Sequence, residues 1–218
     1  PLNVIGMQAE LLQQEDLIDQ NTIIESSNII IDETERLNTL INDLLNITKI
    51  ESGNISINKQ RVKLHELLSD TFDSAMRASR NKNLSVNIDI AKNISTIEID
   101  KDLFRIALNN ILSNAIKYNR ENGKILLEAD EIDNHIQIKI SDSGIGINQE
   151  DQDHIFDKFY RSQSDEVQKR NGHGLGLSLT KEIISLHNGK ITFESEKNVG
   201  TTFIIKLEKT TTFLKEAI

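Results

Sequence analysis

The sequence predicts an α+β fold in which a helical hairpin precedes an α/β sandwich. Apolar residues recur at helical spacing from Thr22 to Ile50, whereas the chain after Gly53 alternates short strand patterns with amphipathic helices. We therefore divide the 218 residues into a helical segment, 1–53, and a mixed segment, 54–218. The apolar fraction of 37% is sufficient for a packed core.

The helical segment is predicted to contain two helices. A short amphipathic helix covers residues 1–15, a polar stretch from Gln13 to Gln20 turns the chain, and the second helix ends near Gly53. The second helix places apolar residues seven apart, at Ile23, Ile30, Leu37 and Leu44. Two helices cannot bury such a seam alone, so we expect the hairpin to self-associate as a four-helix bundle.

The mixed segment predicts an α/β sandwich with one helical layer. In chain order, the patterns predict a short strand over 55–62, a helix over 64–80, a half-buried strand over 84–90, a helix over 100–118, a hairpin of strands 124–130 and 135–141, a helix over 175–187, and strands 190–196 and 201–207. Residues 142–173 are charged, contain glycines and lack periodicity, which is typical of a long functional loop.

Composition excludes several classes of protein. The formal net charge of -9 argues against broad attraction to nucleic acid, and the absence of cysteine excludes disulfides and thiolate zinc sites. No apolar run approaches the roughly 20 residues needed to cross a bilayer. The chain starts at Pro1, inside a helical pattern and without methionine, so we expect it to be part of a longer protein.

The first candidate cluster lies in the predicted helix 100–118. Asn110 and Asn114 are four residues apart and Lys117 follows three later, so their polar ends share one helix face. Amide oxygens suit a hydrated Mg²⁺ ion, and a lysine beside them can contact phosphate oxygens. The alternative is an ordinary solvated helix face.

The second cluster, Asp142 with Gly144 and Gly146, directly follows an alternating strand. Glycines let the backbone approach a planar ligand, and a carboxylate can accept a hydrogen bond from an exocyclic amine such as that of adenine. A strand that merely leaves its sheet through a glycine turn has the same pattern.

The third cluster is Gly172, Gly174 and Gly176, which lead into a helix. Unpaired backbone N–H groups and the positive end of a helix dipole favour a phosphate. A dinucleotide fingerprint is excluded because no strand precedes these glycines in a βαβ unit.

The fourth cluster, Phe156, Phe159, Tyr160 and Arg161, lies in the long loop. Its aromatic residues can clamp a mobile lid to the body of the domain and bring Arg161 to a terminal phosphate. A small apolar cluster under a loop is the alternative.

In this order the motifs resemble those of the sensor histidine kinases. The motifs are N-x-x-x-N-A-x-K-Y from Asn110, D-x-G-x-G-I from Asp142, I-F-x-x-F-Y-R from Ile155, G-x-G-L-G-L from Gly172, and G-T-T-F from Gly200. They are similar to the N, G1, F, G2 and G3 boxes of that family, whose ATP-binding domain is shared with DNA gyrase B, Hsp90 and MutL. Residues 35–53 also resemble the second helix of the family's dimerisation and phosphotransfer domain.

The resemblance implies a role for each matching residue. Asn110 and Asn114 would bind Mg²⁺, Lys117 and Tyr118 would line the nucleotide, and Asp142 would hold the adenine amino group. The remaining expected nucleotide contacts are Gly144, Gly146, Gly172, Gly174, Leu175, Gly176 and Thr202. Asn110, Lys117 and Arg161 would act directly in catalysis, with Arg161 on a phosphate.

The resemblance also implies activity and partners. Such a core transfers the γ-phosphoryl group of Mg-ATP to a histidine, for relay to an aspartate on a response regulator receiver domain. It would be a homodimer through the hairpin, with residues 11–25 and the adjacent second helix as the docking surface for the regulator. We expect no nucleic acid partner. The expected location is the cytoplasm, with the parent protein anchored at the membrane through upstream segments.

One departure from the family concerns the phosphorylated histidine. The family's H box reads H-E-x-x-T-P-L, and Pro1 and Leu2 look like its last two letters, so the acceptor would precede residue 1. None of the five histidines, His65, His135, His154, His173 and His187, occupies that position. We expect the chain to bind ATP without phosphorylating itself.

Two other functions stay open at this point. A stand-alone ATPase of the gyrase kind would use a glutamate as general base where this chain has Asn110. A non-catalytic module would use the hairpin to dock partners and would not need the glycine and asparagine motifs.

Overall fold

The computed structural model describes residues 1–13, 19–78, 83–92 and 94–209, within two compact units, Pro1–Asn54 and Ile55–Ile218. Most of the predicted turn between the first two helices, and the predicted helix end at Arg80, lie outside these residues. No helix in the described ranges is both long enough and apolar enough to span a membrane.

The first unit is a helical hairpin, as predicted. Helices α1 (Leu2–Leu12) and α2 (Gln20–Glu51) contact each other. Asp19 caps α2 by accepting a hydrogen bond from the Thr22 N–H at 2.7 Å. Many large apolar side chains of the first unit are exposed, namely Leu2, Val4, Met7, Leu11, Ile23, Ile24, Ile29, Ile31, Ile41, Leu44 and Leu45. So much exposed apolar surface is typical of a protein interface.

The second unit contains two sheets. Its elements are β1 (Gln60–Lys63), α3 (Leu64–Ala78), β2 (Ser85–Ile90), β3 (Thr96–Ile99), α4 (Lys101–Lys117), β4 (Lys124–Ile132), β5 (His135–Asp142), α5 (Gln149–Gln152), α6 (Asp165–Gln168), α7 (Gly176–Leu186), β6 (Gly189–Glu196) and β7 (Gly200–Glu208). The main sheet has the strand order β2-β4-β5-β7-β6. Strand β2 is parallel to β4 and the other pairs are antiparallel.

The structure differs locally from the predicted elements. Strand β3 was not predicted; it pairs with β1 in a separate two-stranded sheet, and its four residues are too few for a clear periodicity. Helices α5 and α6, also four residues each, lie inside the predicted loop. On β2, Val86 and Ile88 are 37% and 40% exposed because this strand lies at the edge of the sheet, so it is less buried than predicted.

The core lies between the main sheet and a helical layer formed by α3, α4 and α7. Helix α4 contacts α3, α7 and β5, and its residues Phe104, Leu108, Ile111 and Leu112 are fully buried. Burial of one such side chain contributes about 1.5–3 kcal/mol. Alternate residues of β5 complete the core from the sheet, so the predicted sandwich with one helical layer is confirmed.

The start of α4 is joined to the end of α7 by Asp100 and His187. The Asp100 carboxylate caps α4 by accepting from the N–H groups of Asp102 and Leu103, and its own N–H donates to His187 Nε2 at 2.9 Å. His187 Nδ1 donates to the Ile183 carbonyl at 2.7 Å, which leaves Nε2 as an acceptor. Burial lowers the pKa of His187 below 6.5.

This link predicts that the protein loses stability in mild acid. Because the folded-state pKa of His187 is below its ordinary 6.5, the unfolded chain binds the extra proton as the pH falls below 6.5. Urea denaturation followed by circular dichroism should show a loss of up to about 1.4 kcal/mol per pH unit from this residue. The His187→Gln variant should lack it, and the exposed His65→Gln variant should retain it. Equal pH dependence in the two variants would contradict the prediction.

Candidate functional site

The polar residues of α4 lie beside the start of α7. The Asn110 side-chain NH₂ group donates to the Gly176 carbonyl at 3.1 Å, which leaves its Oδ1 available as a ligand. A Cβ atom at Gly176 would lie 3.3 Å from Asn110 Cγ, so the two helices approach closely here. Asn114 is one turn further along α4 and is partly exposed.

Asp142 is the last residue of β5 and belongs to the sheet face that carries the core. Its Oδ1 accepts from the Gly144 N–H at 2.8 Å. Burial raises the pKa of the Asp142 carboxyl from 3.8 to about 6, although the backbone N–H groups of Gly144 and Thr201 act in the opposite direction. Such a raised pKa in a carboxyl with few partners is typical of a functional site.

The turn after β5 packs against the end of α4. The Ile145 N–H donates to the Tyr118 carbonyl at 3.1 Å, and a Cβ at Gly144 would come within 2.4 Å of that oxygen. Gly146 has a positive φ of 67°, a conformation that favours glycine. The observed close approach of Gly144 is to the protein's own backbone, and the expected approach to a planar ligand stays a prediction.

Three cations surround Tyr118, the residue that ends α4. Lys117 Nζ lies 4.7 Å and Arg170 Cζ 5.6 Å from the centroid of its ring. A Cβ at Gly172 would come within 2.6 Å of Lys117 Nζ, so the glycine segment, residues 172–176, passes close to the lysine. Burial raises the pKa of the Tyr118 hydroxyl, whereas the charges of Arg161 and Arg170 oppose that rise. This local positive region can attract an anion despite the net charge of -9.

Of the three predicted aromatics of the long loop, Phe156 contacts the main sheet, whereas Tyr160 bonds to a residue of the loop itself. Phe156 contacts Phe193 with ring centroids 6.0 Å apart, and the Tyr160 hydroxyl donates to Asp151 Oδ1 at 2.6 Å. The hydrogen bond to Asp151 raises the pKa of Tyr160 to about 12. Phe159 is 60% exposed and has a positive φ of 62°, so it does not clamp the loop.

Gly174 and Arg161 organise this loop from within. Gly174 has a φ of 73°, and its carbonyl accepts from the Phe159 N–H at 2.9 Å. Arg161 Nη2 donates to the carbonyls of Val167 and Arg170 at 2.8 and 2.7 Å. The observed contacts of Arg161 are thus with the loop backbone, and its expected contact with a phosphate stays a prediction.

The structure does not bring Thr202 to Asp142. Side chains alternate along a strand, and the Thr202 hydroxyl donates to Ser141 on the sheet face opposite the core. Thr201, its neighbour, is paired with Asp142 across β7 and β5 and is 7% exposed. Leu175 was also expected to contact the nucleotide, but its side chain is fully buried in the core and does not face a ligand.

The sequence analysis did not single out Thr201, Arg170 or Asn119; the last of these follows Tyr118, is 2% exposed and donates to the Lys124 carbonyl. A positive charge two residues before Gly172 was a signal for Arg170. The position of Thr201 depends on strand register, and that of Asn119 on contacts with residues distant in sequence. Neither position follows from local sequence patterns, because both depend on how the backbone folds.

The donor set suits magnesium better than a transition metal. Within the described ranges there is no group of three or more His, Cys, Asp or Glu side chains able to hold a metal. The two amide oxygens of Asn110 and Asn114 are hard ligands that fit an ion retaining water and phosphate oxygens.

Neutralising Asp142 is predicted to stabilise the protein. A carboxyl whose folded-state pKa is raised from 3.8 to about 6 destabilises the fold above that pH, and the cost disappears as the pH falls. Asp142→Asn should therefore raise the free energy of unfolding at pH 8 by about 1–3 kcal/mol, with a smaller gain near pH 4. Urea denaturation measures this, with exposed Asp130→Asn as control. No greater stability than the control would refute the prediction.

Comparisons with known proteins identify the family to which both parts of the chain are similar. Residues 99–211 match the family model described as histidine kinase-, DNA gyrase B- and HSP90-like ATPase, and residues 1–53 match the His Kinase A (phospho-acceptor) domain. The sensor protein SrrB of Staphylococcus aureus is 31% identical over 209 residues, 96% of this chain. The chain spans only 36% of the length of that curated relative.

Two solved structures illustrate the shared fold. Histidine kinase ThkA, solved in complex with response regulator protein TrrA, is 26% identical with a TM-score of 0.76, over 96% of this chain and 58% of that one. Full-length ShkA, solved with AMPPNP, is 21% identical with a TM-score of 0.75, over 95% of this chain and 43% of that one. The two family models and the similarity to SrrB establish that the chain belongs to the sensor histidine kinases, within the histidine kinase-, DNA gyrase B- and HSP90-like ATPase family.

Proposed function

We propose that the second unit binds Mg-ATP between α4, the turn after β5 and the start of α7. The observation that carries this proposal is that two glycine motifs converge on α4, the helix that carries the asparagine and lysine motif. Gly176 contacts Asn110, Gly172 approaches Lys117, and the Gly144 turn bonds to Tyr118. The ATPase family model and the AMPPNP bound to ShkA support the same ligand.

The adenine base would be recognised by Asp142. Its ionised carboxylate accepts from the exocyclic amine, while the Gly144 N–H holds the carboxylate in position at 2.8 Å. Because the pKa of Asp142 is about 6, the carboxylate is the main form at neutral pH, and protonation in acid leaves a weaker, uncharged acceptor. Guanine has no amine at the corresponding ring position and would be disfavoured.

The phosphates would lie near Lys117, Arg170 and the glycine segment. Lysine and arginine neutralise phosphate charge, and backbone N–H groups at the start of α7 donate to phosphate oxygens. Asn110 and Asn114 would hold Mg²⁺, which neutralises charge that develops on the phosphates. Positioning and charge neutralisation thus account for the protein's contribution to catalysis.

The reaction would be phosphoryl transfer to a histidine. A ring nitrogen forms a bond to the γ-phosphorus, the bond from that phosphorus to the bridging oxygen breaks, and ADP leaves. The histidine loses its ring proton to solvent or a nearby base. Asn110 stands where ATPase relatives would place a glutamate base, and an amide cannot take a proton from water, so hydrolysis should be slow.

The proposed partners are a second copy of the chain and a response regulator. The exposed apolar side chains of α1 and α2 provide a surface for a helical homodimer. The complex of ThkA with TrrA supports a regulator as the phosphoryl acceptor. Residues 11–25, the expected docking surface, include 14–18, outside the described part of the chain. We propose that this part functions in the cytoplasm, with membrane attachment through other segments of the parent protein.

Nucleotide binding is the first test of this function. Isothermal titration of the chain with Mg-ATP should give heat of binding that is lost in Asp142→Ala and in Asn114→Ala, because each removes one end of the proposed site. Asn109→Ala changes an exposed asparagine on the same helix and should bind like the unaltered chain. Equal binding by all four proteins would exclude this site.

Transfer to the chain itself is predicted to be absent. None of the five histidines lies within residues 1–53, the segment that matches the phosphoacceptor domain. After incubation with γ-labelled ATP and Mg²⁺, the chain should retain no acid-labile label, even where the titration described above detects nucleotide binding. Acid-labile label on any of the five histidines would contradict the proposal.

A further inference from the structure

A closed ring of hydrogen bonds joins the end of α4 to the residue after Asp142. Asn119, only 2% exposed, donates from Nδ2 to the Lys124 carbonyl at 3.0 Å. Its Oδ1 accepts from the Arg120 N–H at 3.0 Å and from the Ser143 hydroxyl at 3.4 Å. The amide of Asn119 thus has partners on both its nitrogen and its oxygen.

Ser143 and Lys124 complete the ring. The Lys124 N–H donates to Ser143 Oγ at 2.8 Å, and the Ser143 N–H donates to the Lys124 carbonyl at 3.1 Å. Each of these groups is satisfied by another member of the ring, and loss of one leaves a partner without its hydrogen bond. The ring fixes the distance between the turn that follows α4, residues 119–124, and Ser143 after β5.

Gly123 provides the space that the ring requires. A Cβ atom there would lie 2.0 Å from Asn119 Oδ1, so a larger residue would displace the amide. The ring lies between Tyr118 on one side and Asp142 on the other, because Asn119 follows the first and Ser143 follows the second. It connects the proposed phosphate end of the site to the proposed adenine end.

The glycine segment reaches the same point. Both terminal nitrogens of the Arg170 guanidinium lie 3.4 Å from the Asn119 carbonyl, and the same guanidinium lies over the Tyr118 ring. The backbone position of Asn119 therefore also sets where Arg170 is held.

We infer that Asn119 and Ser143 are positioning residues, which set the separation between the Asp142 carboxylate and the phosphate-facing end of α4 without contacting the nucleotide. This inference rests on the proposed function, since it assigns a role within that site. By this mechanism the ring keeps the turn after β5 in place, so that the adenine and the phosphates of one nucleotide can bind at the same time.

The test compares matched variants of the full chain by titration with Mg-ADP from pH 5 to pH 8. Asn119→Ala breaks the ring, and Asn109→Ala removes an exposed amide from α4. Ser143→Ala removes the central hydroxyl, and Ser143→Thr retains it. Asn119→Ala and Ser143→Ala should bind about tenfold more weakly at pH 8, whereas Asn109→Ala and Ser143→Thr should bind like the unaltered chain.

The pH profile separates positioning from general loss of structure. In the unaltered chain, binding should weaken as Asp142 protonates near its pKa of about 6. When the ring is broken, we expect water to reach the Asp142 carboxyl and its pKa to fall toward 3.8. The loss of Mg-ADP affinity in acid, called the acid limb, should then move to lower pH. All proteins receive the same nucleotide, so the nucleotide's own protonation cancels in the comparison.

The possible failures are distinguishable. If the unaltered chain does not bind Mg-ADP, the proposed function fails and the inference fails with it. If the unaltered chain binds but Ser143→Ala, folded by circular dichroism, has the same affinity and acid limb, only the inference is overturned. Should Asn119→Ala fail to fold, Ser143→Ala is compared with Ser143→Thr. Weaker binding by Ser143→Ala alone supports the inference, and equal binding by the two variants overturns it.

Discussion

The complete burial of one face of α4 fixes the geometry on which the proposed site depends. Phe104, Leu108, Ile111 and Leu112 are fully buried in the core formed by the helical layer and the main sheet. Because the helix is held in this way, the direction of its polar side is fixed. Asn110 meets Gly176 at the start of α7, and Lys117 meets Gly172. The capping residue Asp100 and its partner His187 secure the same helix at its start.

The site combines features that stability alone would disfavour. Asp142 retains a carboxyl in surroundings that raise its pKa to about 6, and three cations gather around Tyr118. Electrostatic arrangements that reduce stability are common at functional sites. An acidic chain can hold a polyanionic nucleotide because the positive charge is concentrated where the phosphates would lie, whereas the overall charge acts over longer, screened distances.

Sequence reasoning identified the elements that carry strong periodicity. It placed Asn110 and Lys117 on one helix and Asp142 at the end of a strand, because these positions follow from local spacing. It could not distinguish Thr201 from Thr202, since one residue of register reverses which face a strand side chain occupies. Nor could it find Asn119 or Arg170, whose contacts join segments far apart in sequence, or β3, whose four residues are too few for a pattern.

The most direct measurement of the central claim replaces Mg²⁺ with paramagnetic Mn²⁺ and follows side-chain amide resonances by NMR in the presence of ADP. If Asn110 and Asn114 hold the ion, their side-chain resonances should broaden first as Mn²⁺ is added. Asn134 lies in the turn at the other end of β5, about 25 Å from Asp142 by strand length, and its resonance should remain sharp. Broadening of Asn134 before them, or sharp signals from both α4 asparagines at saturation, would contradict the account.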